Sequence, residues 1–367
     1  MHSSAIFVRA MCVDIVGGRC ILGHMSIVEV AKVAGVTHGT VSRVINGRGG
    51  VSEATAARIR AAMLQLGYQP KPSGMRRGKK ARPMGLRSGT VCLLLVGAPA
   101  AVLERPGIST LVGTLESELR RRGLAMLLAQ AASLHDLPPS ITQNKADGLM
   151  LIGEAADALP AAYRHLPAVW LLSTHTRPSR WADHVLPDNE QIGILAAEHL
   201  LGLGHRRVAF YNEQPEHPGF TTRGEAFCKA AGDRGLECTA WVAEKRSAEP
   251  VWSFGRSDAT DALVQRLLQA QTRPSALFVP TDEQTLRLCP ALARQGIQPG
   301  SDVLIVSCDN QDAWLRQLEP RPVSIDLNFD LMGSRAVEQL LSRVARPGQP
   351  PGTRILVPPR LIPSANG

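Results

Sequence analysis

Aromatic residues make up only 4% of this 367-residue chain, so aliphatic side chains and alanine have to fill its core. Cysteine offers no scaffold. The seven (Cys12, Cys20, Cys92, Cys228, Cys238, Cys289 and Cys308) are an odd number with no Cys-x-x-Cys spacing. That argues against a zinc site or a disulfide framework and fits a reducing cytoplasm. No run of about 18 uncharged apolar residues occurs, which argues against a membrane span. Catalytic signatures are missing too. There is no Gly-x-Ser-x-Gly and no His-Glu-x-x-His. The stretch "GMRRGKK" (74–80) has three residues between its glycines where a Walker loop has four, and no Ser/Thr follows Gly-Lys. His199 and His205 lack metal-ligand spacing, and no nucleophile–base set is visible. The expectation is a protein that is not an enzyme, with no catalytic residue, cofactor or metal. Residues 1–24 hold no uninterrupted apolar core, because Arg9, Asp14 and Arg19 break it, so they read as a loosely ordered extension rather than a signal peptide.

Acidic residues are nearly absent from one segment. Residues 25–90 carry twelve Lys/Arg against Glu29 and Glu53 alone, whereas residues 91–367 carry 27 basic and 29 acidic side chains. A basic module on a nearly neutral body implies a polyanionic partner for the module.

That module is well specified. "SIVE" is a capping box, with Ser26 as cap and Glu29 reaching back, followed by Ile27, Val30, Ala31 and Ala34 at helical spacing. Gly35 stops this helix. Thr37 caps a second, "HGTVSRVI", and Ser52 caps a third that Gly67 closes. Two short helices across a glycine turn, plus a third, describe a helix-turn-helix. The second helix carries Thr37, His38, Thr40, Ser42 and Arg43, all able to bond phosphates or base edges.

"MSIVEVAKVAGVTHGTVSRVING" followed by "VSEATAARIRAAMLQLGYQP" resembles the DNA-binding head of the lac-repressor (LacI/GalR) family of bacterial transcription regulators, over about 45 residues. The resemblance implies that His38, Gly39 and Arg43 hold the base-reading positions. An arginine there can pair bidentately with a guanine edge. Gly39 departs from the pattern in having no side chain. Ser42, Asn46 and Thr55 match phosphate-contacting positions, which fix register rather than sequence.

Residues 90–367 alternate strand-like runs (90–97, 124–130, 146–153, 167–173, 206–212, near 238–243, 275–281, 302–308) with helical ones (109–123, 188–204, 221–234, 257–270, 283–295, 330–345). Such alternation implies parallel sheets flanked by helices. The expected fold is an α-helical helix-turn-helix head plus an α/β body of two doubly wound parallel-sheet lobes, with crossovers near 184–190 and 320–328. "LPDNEQIG", "HLLGLGHRRVAFY", "SCDN" and "SIDLNFDLMG" extend the family resemblance to the body, which is similar to periplasmic sugar-binding proteins. It implies an effector site in the interlobe cleft at Arg223, Thr281, Asp282, Asp309 and Phe329. Asp282 reads equally well as a helix cap. The implied effector is a sugar or sugar derivative, and the implied partners are double-stranded operator DNA and a second copy of the chain, in the cytoplasm at the nucleoid.

Residues 71–89 fall at the family's hinge, where a leucine enters the minor groove. Arg77 stands at the leucine position here, and Pro72 and Gly74 weaken any helix. Met75 could supply an apolar wedge, or Arg76 and Arg77 could enter a narrow groove electrostatically, which is the favoured reading. Two other functions remain open on sequence alone: an enzyme or transport-type binding protein on the same lobes, and non-specific nucleoid binding. The first leaves the basic head without a role.

Overall fold

The computed structural model describes residues 26–47, 49–70, 86–154, 158–172, 180–244 and 257–363. The chain divides into two compact units, Met1–Lys80 and Ala81–Gly367. Among the described residues no helix is long and apolar enough to cross a membrane.

The first unit holds α1 (Ile27–Val33), α2 (His38–Ile45) and α3 (Glu53–Gln65). Each begins where the sequence places a cap. Glu29 accepts from the Ser26 backbone N–H at 2.6 Å and completes the capping box. Thr37 Oγ1 accepts from the Thr40 N–H, and Ser52 Oγ from the Thr55 N–H. Gly35, in the left-handed region at φ +61°, ends α1 and lets α2 turn across it. Val30, Ala31, Ala34, Val41, Ile59 and Ala62 form the small core. Arg58 of α3 donates to the Ala34 carbonyl at 2.6 Å and ties the third helix to the end of the first.

The second unit runs β1 (Thr90–Val96), α4 (Pro106–Arg121), β2 (Ala125–Ala131), α5 (Pro139–Thr142), β3 (Gly148–Gly153), β4 (Ala168–Leu171) and β5 (Asp183–Pro187). It continues through α6 (Asn189–Gly202), β6 (Arg207–Asn212), α7 (Pro218–Asp233), β7 (Glu237–Val242), α8 (Ser257–Gln269), β8 (Ala276–Phe278), α9 (Asp282–Arg294), β9 (Leu304–Cys308), α10 (Asp312–Leu315) and β10 (Val323–Asp326). It closes with α11 (Phe329–Ala345), β11 (Arg354–Val357) and β12 (Arg360–Ile362). Two six-stranded sheets result, ordered β11-β5-β4-β3-β1-β2 and β12-β10-β9-β8-β6-β7. All pairings are parallel except β10 with β12.

The chain crosses between lobes after β5 and after β10, as expected. It crosses a third time between β11 and β12, which the sequence reading did not anticipate. The final helix α11 packs on α4 in the first lobe although it follows a strand of the second. Asp183 secures this return. Its buried carboxylate accepts from the Arg343 Nη2 at 2.7 Å, from Gln339, and from the Gly352 and Thr353 backbone N–H groups at 2.9 Å each. Those donors hold the Asp183 carboxyl below the usual aspartate range against the opposing effect of burial.

Candidate DNA-reading helix and interlobe cavity

On the head, His38, Gly39, Arg43 and Asn46 are exposed along α2 and its end. Among the described residues no hydrogen bond or ion pair engages the Arg43 guanidinium, so it remains available to a base edge. The hydroxyls are differently placed. Thr37 and Thr40 share a 2.9 Å hydrogen bond at the cap, and Thr55 shares another with Ser52. Asn46 Nδ2 donates to the Ser42 carbonyl at 2.7 Å. These bonds stiffen the helix ends. Met75, Arg76 and Arg77 lie outside the described residues.

Between the two lobes of the body lies a cavity of about 90 Å³. Arg223, Thr281, Asp309 and Phe329 all line it, each delivered by a different element. Arg223, from the second turn of α7, is only 3% exposed. Its Nε donates to Asn189 Oδ1 at 2.9 Å and its Nη1 lies 3.3 Å from Asp309 Oδ1. Its guanidinium sits 5.4 Å from the Phe220 ring centroid. Asp309 follows β9 with φ +101°, a backbone that few non-glycine residues adopt. This strained turn aims the carboxylate into the cavity, where Thr281 Oγ1 donates to it at 2.7 Å and Gln311 Nε2 at 3.3 Å. Burial raises the Asp309 carboxyl, while Arg223 and Thr281 pull it down. Phe329 opens α11 against Gly107. A Cβ at Gly107 would come to 2.5 Å from that ring, so any larger residue would push Phe329 aside.

Asp282 is a correction. It does not line the cavity, and it is not the helix cap. Thr281 caps α9, its Oγ1 accepting from the Glu283 N–H. Asp282, the next residue, is held inside the second lobe by side chains of β9 and β10. It is fully buried and accepts from Ser307 and Ser324 hydroxyls and from the Gln311 N–H at 2.6 Å. Burial, and then the Asp309 charge, push its carboxyl up to about 7. Unfolded, the group ionises near 3.8, so between about pH 4 and 7 the folded state binds the extra proton. Stability therefore falls as pH rises through that window. Asp282→Asn is expected to flatten this part of the profile in urea unfolding from pH 4 to 8. An unchanged slope would contradict the assignment.

Several cavity residues were not singled out from sequence. Arg105, from the first lobe, reaches across and places Nη2 3.2 Å from Glu283 Oε2 of the second. Glu283 continues to Arg287 at 2.9 Å, and Arg287 to the fully buried Glu213 at 2.8 Å, which also accepts from the Tyr211 hydroxyl. A chain of alternating charges thus runs from one lobe into the heart of the other. His217 stacks on Phe220 with centroids 3.9 Å apart and caps α7. Burial, and then the Arg223 and Arg105 charges, keep it below the usual histidine range and so neutral. The "HPGF" start of α7 was the only signal for it. Nothing local marks Arg105, whose role depends on a contact 178 residues away.

Both guanidiniums in the cavity face carboxylates, which suits a ligand rich in hydroxyls more than a bare anion. A fold of two doubly wound lobes around such a cavity, on a chain that also presents an exposed helix-turn-helix, defines a DNA-binding regulator with a ligand-binding body.

Comparison with known proteins agrees. Residues 26–71 match the family described as bacterial regulatory proteins, lacI family, and residues 197–365 match a periplasmic binding protein-like domain. The HTH-type transcriptional repressor PurR of Mannheimia succiniciproducens is 24% identical over 330 residues, covering 87% of this chain and 92% of its own. The lactose operon repressor of Escherichia coli is 26% identical over 324 residues, covering 86% and 84%. Among solved structures, the regulator CelR in complex with cellobiose aligns over 94% of this chain and 100% of its own, with a TM-score of 0.63 and 24% identity. The chain therefore carries a lacI-family DNA-binding domain and a periplasmic-binding-protein-like domain, the make-up of a transcriptional regulator with a ligand-binding effector domain.

Proposed function

We propose that the protein acts in the cytoplasm as a homodimeric repressor. Each head takes one half-site of a pseudo-palindromic operator, and a sugar or sugar derivative in the interlobe cavity changes the grip on DNA. The observation that carries this reading is the pairing, in one chain, of an exposed Arg43-bearing helix with a cavity built on Arg223 and Asp309. Support for a sugar comes from the relatives. Lactose and ribose operon repressors align over most of this chain, and one structural neighbour is a cellobiose complex.

In this reading Arg43 pairs with a guanine, His38 contacts a base or phosphate, and Thr37, Thr40, Ser42, Asn46 and Thr55 fix register on the backbone. The hinge arginines Arg76 and Arg77 add minor-groove charge. In the body, Asp309 accepts a pair of ligand hydroxyls and Arg223 donates to them. Phe220, Trp314 and Phe329 supply apolar faces for the ring. The cavity is smaller than the roughly 150 Å³ that accepts a benzene ring. In this reading a hexose parts the lobes as it enters and separates Arg105 from Glu283. Their exchange for ligand contacts gives occupancy a direct effect on lobe closure. The test is to select an operator from a random duplex pool and titrate a panel of pentoses, hexoses and disaccharides against its complex. Failure of any cavity-binding sugar to alter operator affinity would defeat the proposal.

A further inference from the structure

We propose that Cys228 and Cys238 form an oxidant-responsive dithiol, which a hydroperoxide closes to a disulfide. This goes beyond ligand and DNA binding, and neither family match assigns such a role.

The first observation is contact. Cys238 Sγ donates to Cys228 Sγ at 3.2 Å. The two sit on regular elements rather than on a loop. Cys228 is on α7, and Cys238 is on β7, where it pairs in register with Val208 of β6. The connecting turn is set by Gly235 at φ +76°, and by the Leu236 N–H donating to the Ala231 carbonyl and the Glu237 N–H to the Arg206 carbonyl. Both side chains lie at the margin of the large core and are partly exposed. A disulfide needs the sulfurs to approach from 3.2 Å to about 2.05 Å, a movement of about 1 Å.

The second observation is selectivity. Cys92, Cys289 and Cys308, the other described cysteines, are buried. Burial pushes their thiols upward, to about 11 for Cys92 and about 12 for Cys289, so little thiolate exists at neutral pH. The S–H of Cys238 pointing at Cys228 works in the other direction and lowers the Cys228 thiol. Cys228, which accepts that S–H, takes the part of the nucleophile in the proposal, and Cys238 that of the resolving thiol.

The chemistry balances. The Cys228 thiolate attacks the peroxide oxygen, the O–O bond breaks, and the leaving hydroxide or alkoxide takes a proton, leaving Cys228 as a sulfenic acid. Cys238 sulfur then attacks the Cys228 sulfur, the S–O bond breaks, and water departs with the Cys238 proton. Two thiols lose two electrons and the peroxide gains them. The new bond joins α7 to the edge strand β7. α7 also carries Arg223, five residues before Cys228, so oxidation tethers the helix that builds the ligand cavity.

The test uses the full-length protein and hydrogen peroxide. Trypsin cuts after Arg223, Lys229 and Arg234, which places the two cysteines on different peptides. The expected product is a dithiothreitol-sensitive pair joining Cys228 and Cys238. It should form at least about tenfold faster than Cys289 is oxidised. In Cys238→Ser, dimedone should label Cys228 as the sulfenic acid. Equal oxidation rates at Cys228 and Cys289 in the unaltered protein, or oxidation of Cys228 and Cys238 without a joined peptide, would overturn the proposal. The unaltered protein decides this even if the variant fails to fold.

Discussion

Arg223→Met is expected to destabilise the body by about 3–5 kcal/mol at neutral pH, the usual cost of leaving one member of a buried ion pair without its partner. Arg223 is 3% exposed and faces Asp309 at 3.3 Å, while Thr281 and Gln311 hold the same carboxylate in place. With methionine at 223, Asp309 stays buried, strained at its backbone, and without its ion-pair partner, keeping only the weaker pull of Arg105. The acid should then protonate more easily, because burial already raises it. The deficit should accordingly shrink as pH falls, since a neutral carboxyl needs no cation. Urea unfolding at pH 7 and pH 5 measures both effects. Adding Asp309→Asn should recover part of the loss, and the cycle of single and double variants gives the coupling. Ligand binding should disappear in Arg223→Met, whereas the head, a separate compact unit, should still bind DNA.

The second large effect is expected at the operator. Arg43→Ala should cost about 1–3 kcal/mol at the selected site, a loss on the order of ten- to a hundredfold, with little change on random duplex. Arg43 sits in the last turn of α2, exposed, with Val41 and Val44 turned into the small core behind it. Removing its side chain deletes a reader without disturbing packing. Arg76→Gln with Arg77→Gln should act differently. Affinity should fall for every sequence, and the salt dependence should flatten by up to about two phosphate equivalents. Measuring both variants on operator and random duplex across a salt series separates base reading from charge. A salt slope unchanged in the hinge variant would return residues 71–89 to the role of a tether.

The head was legible in the sequence because its determinants are local. Ser26, Thr37 and Ser52 each cap a helix within three residues, and Gly35 needs only its own φ. The body was legible where strands are continuous apolar runs, as in "TVCLLLV" and "GLMLIG". It was not legible at β5, β11 and β12. β5 begins with Asp183 and His184, both fully buried, and ends in proline. Its buried polar start makes sense only beside Arg343, Gly352 and Thr353, more than 150 residues later. The site divided in the same way. Arg223, Thr281, Asp309 and Phe329 line one cavity. Asp282, adjacent to Thr281, does not line the cavity and is instead held by Ser307, Ser324 and the Gln311 N–H. Arg105 and Glu283 became visible only when the lobes were placed together.

If the protein works as proposed, its ligand cavity and its DNA surface are thermodynamically coupled. The direct measurement is a pair of titrations with the unaltered protein. Operator affinity is measured by fluorescence anisotropy with and without a saturating sugar from the panel, and affinity for that sugar is measured by calorimetry with and without operator. Linkage requires the two ratios to be equal, with a coupling of about 5- to 150-fold. A sugar whose binding is abolished by Arg223→Met, yet which leaves operator affinity unchanged in the unaltered protein, would contradict the account.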